Sequence, residues 1–198
     1  MKIKRLIGGN LESNGYVIYD KEGGEGYIID PGYRADAFLS LCQTLDVTIK
    51  GLLLTHFHYD HVGAVDKLKA EWNCPVYLHK DDCDLYGKDV DHMLFGGETF
   101  QIGEETIEVL STPGHTKGSV CFSAAGTKSK LVFTGDTIFN VDLGRTDLDG
   151  GSEQDMRHTV REIISTWGND ITIYPGHGDP ATMRFVREHN REYLDLLV

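Results

Sequence analysis

The side chains richest in chemistry stand together in Thr55-His56-Phe57-His58-Tyr59-Asp60-His61, where three imidazoles and a carboxylate fall within six positions. Imidazole nitrogens and carboxylate oxygens are the donors that divalent transition metals take. His56 and His58 alternate at the end of a strand, so both rings face one way and can chelate one ion. Asp60 and His61 come after the turn and face differently, which suits a second ion beside the first. Three further donors sit in Gly- or Pro-framed loops: His115 in Pro113-Gly114-His115-Thr116, Asp136 in Thr134-Gly135-Asp136-Thr137, and His177 in Pro175-Gly176-His177-Gly178. Two neighbouring cations need a bridging anion to screen their repulsion. Asp136 is the candidate, because the glycine before it lets the backbone approach closely. His115 and His177 would then complete the two sites, one each. His79, His92, His158 and His189 lack such framing and read as ordinary polar residues.

These donors need elements to carry them. The apolar run from Ile49 to Leu54 reads as an internal strand covered on both faces, and it delivers the histidine cluster to a strand-to-helix loop. Val62, Val65, Leu68 and Trp72 then recur at helical spacing. Upstream, Asn14 to Tyr19 and Gly26 to Ile29 form a hairpin about Lys21-Glu22-Gly23-Gly24, its second strand ending at Asp30-Pro31-Gly32. From its position, Asp30 starts that turn or caps a helix over 34–45. Further strands are expected over 75–78, 105–110, 119–122, 131–133 and 171–174, with helices over 153–166 and 180–196 and an irregular stretch over 79–97. Strands followed by mixed helix and strand, twice over, imply two similar sheet-and-helix halves packed face to face in one domain spanning 1–198.

Composition narrows the function. The chain carries 19 Lys+Arg against 31 Asp+Glu, a formal charge of −12, and no basic run, so a nucleic-acid partner is not expected. After the basic start, the apolar Leu6-Ile7 is too short for a signal peptide, and no stretch is long enough to span a bilayer. Cys42, Cys74, Cys83 and Cys121 form no Cys-x-x-Cys pair and suit buried thiols in a reducing compartment; a cytoplasmic location is expected. The oligomeric state is left open.

The cluster 55–61, with Asp30, His115, Asp136 and His177, resembles the metallo-β-lactamase superfamily. Within it, Thr112-Pro113-Gly114-His115-Thr116, Gly135-Asp136-Thr137-Ile138-Phe139, Gly144-Arg145-Thr146-Asp147 and Pro175-Gly176-His177-Gly178 are most similar to glyoxalase II, the hydroxyacylglutathione hydrolases. The resemblance implies an α/β fold, an αββα sandwich of two mixed β-sheets flanked by helices, with two divalent metal ions at one edge. It implies His56, His58 and His115 on the first ion, Asp60, His61 and His177 on the second, Asp136 bridging, and Asp30 supporting the site from behind. The ions are expected to be zinc, although such donors also accept iron or manganese.

Two departures stand out. Only about twenty residues follow His177, where classical glyoxalase II has a helical extension that supplies much of the glutathione surface. Arg145-Thr146-Asp147 replaces a Lys-aromatic-Tyr stretch that contacts glutathione in those enzymes. The chain therefore resembles the compact bacterial and archaeal members.

The expected reaction is hydrolysis of a small-molecule thioester such as an S-2-hydroxyacylglutathione. Metal-bound water has a pKa of roughly 7 and supplies hydroxide at neutral pH. Asp60 and Asp136 are the expected catalytic carboxylates, Asp60 orienting the hydroxide and Asp136 bridging. Arg145 either pairs with a substrate carboxylate or forms a surface salt bridge, and Tyr59 either lines the pocket or, the preferred reading, packs. The rival is a persulfide dioxygenase of the same superfamily, with a single iron on His56, His115 and Asp136. Intact Asp60, His61 and His177 favour the two-metal hydrolase. A metal-binding protein without catalysis is a third reading, disfavoured because seven ligands for two ions leave room for water.

Overall fold

The first half of the chain builds one sheet and the second half another. In the computed structural model, which describes residues 1–198, the first sheet consists of β1 (Lys2–Gly8), β2 (Ser13–Tyr19), β3 (Glu25–Ile29), β4 (Thr48–Leu53), β5 (Val76–His79) and β6 (His92–Leu94), side by side in chain order. β1 to β3 are antiparallel and β3 to β6 parallel. Parallel neighbours need crossovers. These contain α1 (Ala35–Leu45), then α2 (Tyr59–Val62) with α3 (Val65–Trp72), then α4 (Cys83–Tyr86). The second sheet is β7 (Thr99–Ile102), β8 (Glu105–Ser111), β9 (Val120–Ser123), β10 (Leu131–Gly135), β11 (Thr172–Pro175) and β12 (Ala181–Thr182). Only β10 and β11 pair in parallel, across α5 (Glu153–Glu162); α6 (Met183–His189) and α7 (Arg191–Leu197) complete the chain.

Three apolar layers hold this αββα sandwich together. Val17, Tyr19, Leu52 and Leu54 pack on Phe38 and Leu68 on one helical side. Tyr16, Ile18, Ile29 and Leu53 meet Val109, Val120, Phe122 and Phe133 between the sheets. Val132 and Ile173 pack with Met156, Val160, Val186 and Tyr193 on the other helical side. β2 shows why the central strands read as unbroken apolar runs: its alternate residues enter two different cores, and all of it is buried. Each large apolar side chain so buried contributes about 1.5–3 kcal/mol.

Four elements depart from the sequence expectation. β1 was not expected as a strand, because its outward Lys2 and Lys4 give no apolar stripe, yet it pairs with β2 along its whole length. The stretch 79–97 is not wholly irregular; it holds a 3₁₀ turn, Lys80–Asp82, then α4 and the edge strand β6, each too short to show a period. β7, four residues on the sheet edge, gave no signal either. The helix expected over 180–196 begins as β12 and then breaks at Asn190. The Asn190 amide donates to Phe139 O (3.2 Å) and Asp142 O (2.8 Å), while its Oδ1 accepts from Tyr193 N (2.9 Å) and caps α7. All four cysteines are free thiols, and no helix is long and apolar enough to cross a membrane.

Candidate metal centre

β3, β4, β8, β10 and β11 run into loops that carry Asp30, His56 with His58, His115, Asp136 and His177. The sheets are tied to each other at this edge. Val120 N donates to Thr55 O (2.9 Å) and Asn14 N to Gly176 O (2.7 Å). The Tyr16 hydroxyl, buried in the inter-sheet core, donates to Pro175 O (2.6 Å). Ligand loops from both halves are thereby locked to one frame.

Three groups of donors converge, with the ligand atoms within each inside 4.8 Å of one another: His56, His58 and His115; Asp60, His61 and His177; and Asp30, His56 and His61, which joins the first two. Asp136 lies between the first two, with Oδ1 3.2 Å from His61 Nε2 and Oδ2 3.4 Å from His177 Nε2 and 3.6 Å from His115 Nε2. β4 ends at Leu53, so the loop, rather than strand alternation, brings the His56 and His58 rings to 4.8 Å apart. Two glycines permit the close approach. Gly135 has φ 48°, and Gly176 sits where a Cβ would lie 2.1 Å from Asp136 Oδ1.

Most rings are aimed by a partner on the nitrogen away from the centre, the arrangement that fixes tautomer and orientation in metal sites. His115 Nδ1 donates to Arg145 O (2.8 Å) and His177 Nδ1 to Leu11 O (2.9 Å). His56 Nδ1 lies 3.0 Å from Thr55 Oγ1. Asp30 is buried and takes three contacts: Thr55 N at 2.7 Å, Thr55 Oγ1 at 2.6 Å and His61 Nδ1 at 3.1 Å. It does not cap α1, whose N-terminus has no side-chain cap. Both Asp30 oxygens are thus occupied in holding the ligand loop. Asp30→Asn, which replaces one acceptor oxygen with a donor amide, is expected to weaken binding of the His61 ion by about 10–100-fold, measured by chelator competition.

The donor set fits metal ions. His56 Nε2 is buried without a hydrogen-bond partner, and Asp136 Oδ1, also buried, faces only the ligand nitrogen His61 Nε2 at 3.2 Å. With its Nδ1 proton on Arg145 O, His115 turns an Nε2 lone pair toward His58 Nδ1, 2.9 Å away. A cation accepted by both nitrogens satisfies this arrangement.

The first two groups differ in charge. Burial, then the neighbouring His61, holds His56 well below the usual histidine range; burial and then His115 take His58 down to about 4, and burial lowers His115. Burial would lower His61 and His177 too, but Asp136 and Asp60 outweigh it, raising His61 strongly and His177 to about 9. Asp60 and Asp136 stay ionised: burial pushes both up, and the His177 and His61 partners more than reverse it.

The centre opens into a cavity of about 430 Å³, lined outside the ligands by Leu11, Tyr59, Arg145 and Leu148. Tyr59 is 65% exposed, so it lines the mouth and does not pack. Arg145 is exposed at the rim and makes a bidentate pair with Asp147, Nε–Oδ1 2.7 Å and Nη2–Oδ2 2.8 Å. The four other histidines stay out of the centre; His79 Nδ1, for example, accepts from Asp81 N (3.2 Å), and His92 stacks on Tyr77. The sequence gives no sign of Asp82, a fully buried carboxylate against the His115 loop, because nothing local distinguishes it from Asp81 or Asp84.

Fold and donor set together define a metallo-hydrolase scaffold, with its ligands on strand-end loops at one edge of a sandwich. The model of the Metallo-beta-lactamase superfamily matches residues 8–177, and the chain belongs to that superfamily. It is 30% identical over 207 residues to the probable metallo-hydrolase YqgX of Bacillus subtilis, covering 96% of each chain. Among solved structures, the BLEG-1 B3 metallo-beta-lactamase is 31% identical with a TM-score of 0.85, covering 96% of this chain and 98% of that one. TTHA1623 in a di-iron-bound form is also 31% identical, TM-score 0.82, covering 94% and 98%.

Proposed function

We propose that the protein is a dinuclear metal-dependent hydrolase that cleaves a thioester of the S-2-hydroxyacylglutathione type. One observation carries this reading: two complete three-ligand groups flank Asp136 on the floor of a cavity. His56, His58 and His115 would hold one ion and Asp60, His61 and His177 the other. Ions bound there would supply a Lewis acid for the carbonyl and a water nucleophile acidic enough to ionise near pH 7. The di-iron-bound relative supports a two-ion centre, and the donor chemistry admits zinc, iron or manganese.

The chain's own residues supply the rest. Asp60 and Asp136, both ionised, can accept a proton-bearing oxygen and orient it toward the carbonyl carbon. Leu11, Tyr59 and Leu148 give the cavity an apolar wall. None of the four non-ligand lining residues is a carboxylic acid or an imidazole that could protonate a departing amine. A thiolate, whose conjugate acid has a pKa near ~8.5, departs without that help. A substrate carboxylate reaching Arg145 has to share it with Asp147, so recognition of an anionic thiol carrier at this point is weak.

The iron persulfide dioxygenase reading uses His56, His115 and Asp136 and leaves Asp60, His61 and His177 idle. The structure instead brings those three together around Asp136 as fully as the first group. Metal analysis with parallel assays of thioester hydrolysis and of sulfite formation from glutathione persulfide separates the readings. About two ions per chain and thioesterase activity are expected. About one iron with oxygen uptake, and no hydrolysis, would overturn the proposal.

A further inference from the structure

We infer that Asp82 is a positioning residue for the first ion's site: its carboxylate holds the loop that carries His115 in place beside His56 and His58. Asp82 is 0% exposed and pairs with no lysine or arginine, whereas its exposed-side neighbour Asp81 faces Lys117. An unpaired buried carboxylate is unfavourable unless hydrogen bonds hold it. Both that it has run to the loop after His115. Oδ2 accepts from Thr116 Oγ1 (2.7 Å), the residue after His115, and Oδ1 from Gly118 N (2.7 Å). Burial is the largest effect on this carboxyl and raises its pKa.

The packing is built for this contact. A Cβ on Gly118 would lie 2.7 Å from the Asp82 carboxyl, so the loop comes this close only with glycine there. Thr116 is held on its other side by Ser119 Oγ, at 3.0 Å from Thr116 N and 2.8 Å from Thr116 Oγ1. Asp82 itself closes a 3₁₀ turn capped by His79. The second group depends on different anchors: Ser13 Oγ donates to Asp60 O (2.7 Å), Asp30 holds His61, and Leu11 O holds His177. None of these touches Asp82. Its loss should therefore loosen one site and spare the other, which a general destabilisation would not do.

The inference rests on the assignment of two donor groups and not on the substrate. The test is Co²⁺ titration of metal-free protein, followed by visible absorption and chelator competition, in the parent and in a His177→Gln background that isolates the first site. Asp82→Asn is expected to weaken the first site by about 10–100-fold, alter its absorption bands, and move the second site's affinity by less than about threefold. Unchanged first-site affinity and spectrum in a folded Asp82→Asn, or equal weakening of both sites, would overturn the inference. Thr116→Val removes one of the bonds to Asp82 while keeping the side-chain shape. It should shift the first site in the same direction by several-fold, and decides the matter if Asp82→Asn does not fold. Failure of the parent to bind Co²⁺ at all would instead refute the donor assignment.

Discussion

Asp136→Ala is expected to abolish turnover and to reduce the metal retained by purified protein from about two ions per chain to one or fewer. Asp136 is the residue whose carboxylate reaches both donor groups, through contacts of 3.2 to 3.6 Å to His61, His177 and His115. On the two-ion reading, its removal takes away a ligand, and also the charge that screens two cations from each other. Loss of an outer partner of a metal ligand typically weakens binding 10–100-fold, so loss of the shared ligand should exceed about 100-fold. Asp136→Asn keeps the shape and one carbonyl oxygen while losing the charge, and should fall between Ala and the parent. Without Asp136 the folded chain should still form, because the carboxylate contacts only the ligand histidines. Elemental analysis with circular dichroism checks this; full turnover with two retained ions would show that Asp136 does not bridge.

The donors were legible in the sequence because each is announced locally. His56, His58, Asp60 and His61 share one motif, and His115, Asp136 and His177 each follow a glycine at a loop. The central strands were legible for a related reason: double-sided burial leaves consecutive apolar residues, as in Tyr16 to Tyr19 of β2 and Leu52 to Leu54 at the end of β4. What the sequence could not show depends on long-range contacts. β1 is specified by pairing with β2 and not by its own pattern. The break at Asn190 is set by carbonyls of Phe139 and Asp142, about fifty residues away. Asp30 read locally as a turn residue or cap; only the folded chain places Thr55 and His61 on its carboxylate. Asp82 was invisible on the same grounds, since its partners lie 34 and 36 residues onward.

The unequal protonation of the two donor groups predicts that the ions load in order and with opposite pH behaviour from the metal-free fold. His56, His58 and His115 are all lowered and neutral at pH 7, so the first ion displaces no proton from them. His61 and His177 are raised, so the second ion must displace about two protons, and its affinity should climb by up to about a hundredfold per pH unit toward pH 9. In the metal-free protein the same shifts act on stability. His177 has a folded pKa of about 9 against an ordinary 6.5, so its contribution is complete below about pH 6.5 and is lost as pH rises through about 9; His61 acts in the same sense. Asp60 and Asp136 are lowered, so theirs is present above the ordinary carboxylate pKa of 3.8 and is lost as pH falls. His56, His58 and His115 are lowered, so their contribution is present above the ordinary histidine pKa of about 6.5 and is lost as pH falls below it. Metal-free protein should therefore be most stable near pH 6.5 and melt at lower temperature by pH 9, while the added stability from metal grows from pH 6.5 to 9. Calorimetric titration at pH 7, in buffers of different ionisation enthalpy, should count about two protons released over the loading of both ions. Release of no protons over the loading of both ions, or a metal-free melting temperature that rises from pH 6.5 to 9, would contradict the assignment. Asp136→Ala should reduce the release with any second ion that still binds, because the carboxylate that keeps those two imidazoles protonated is gone.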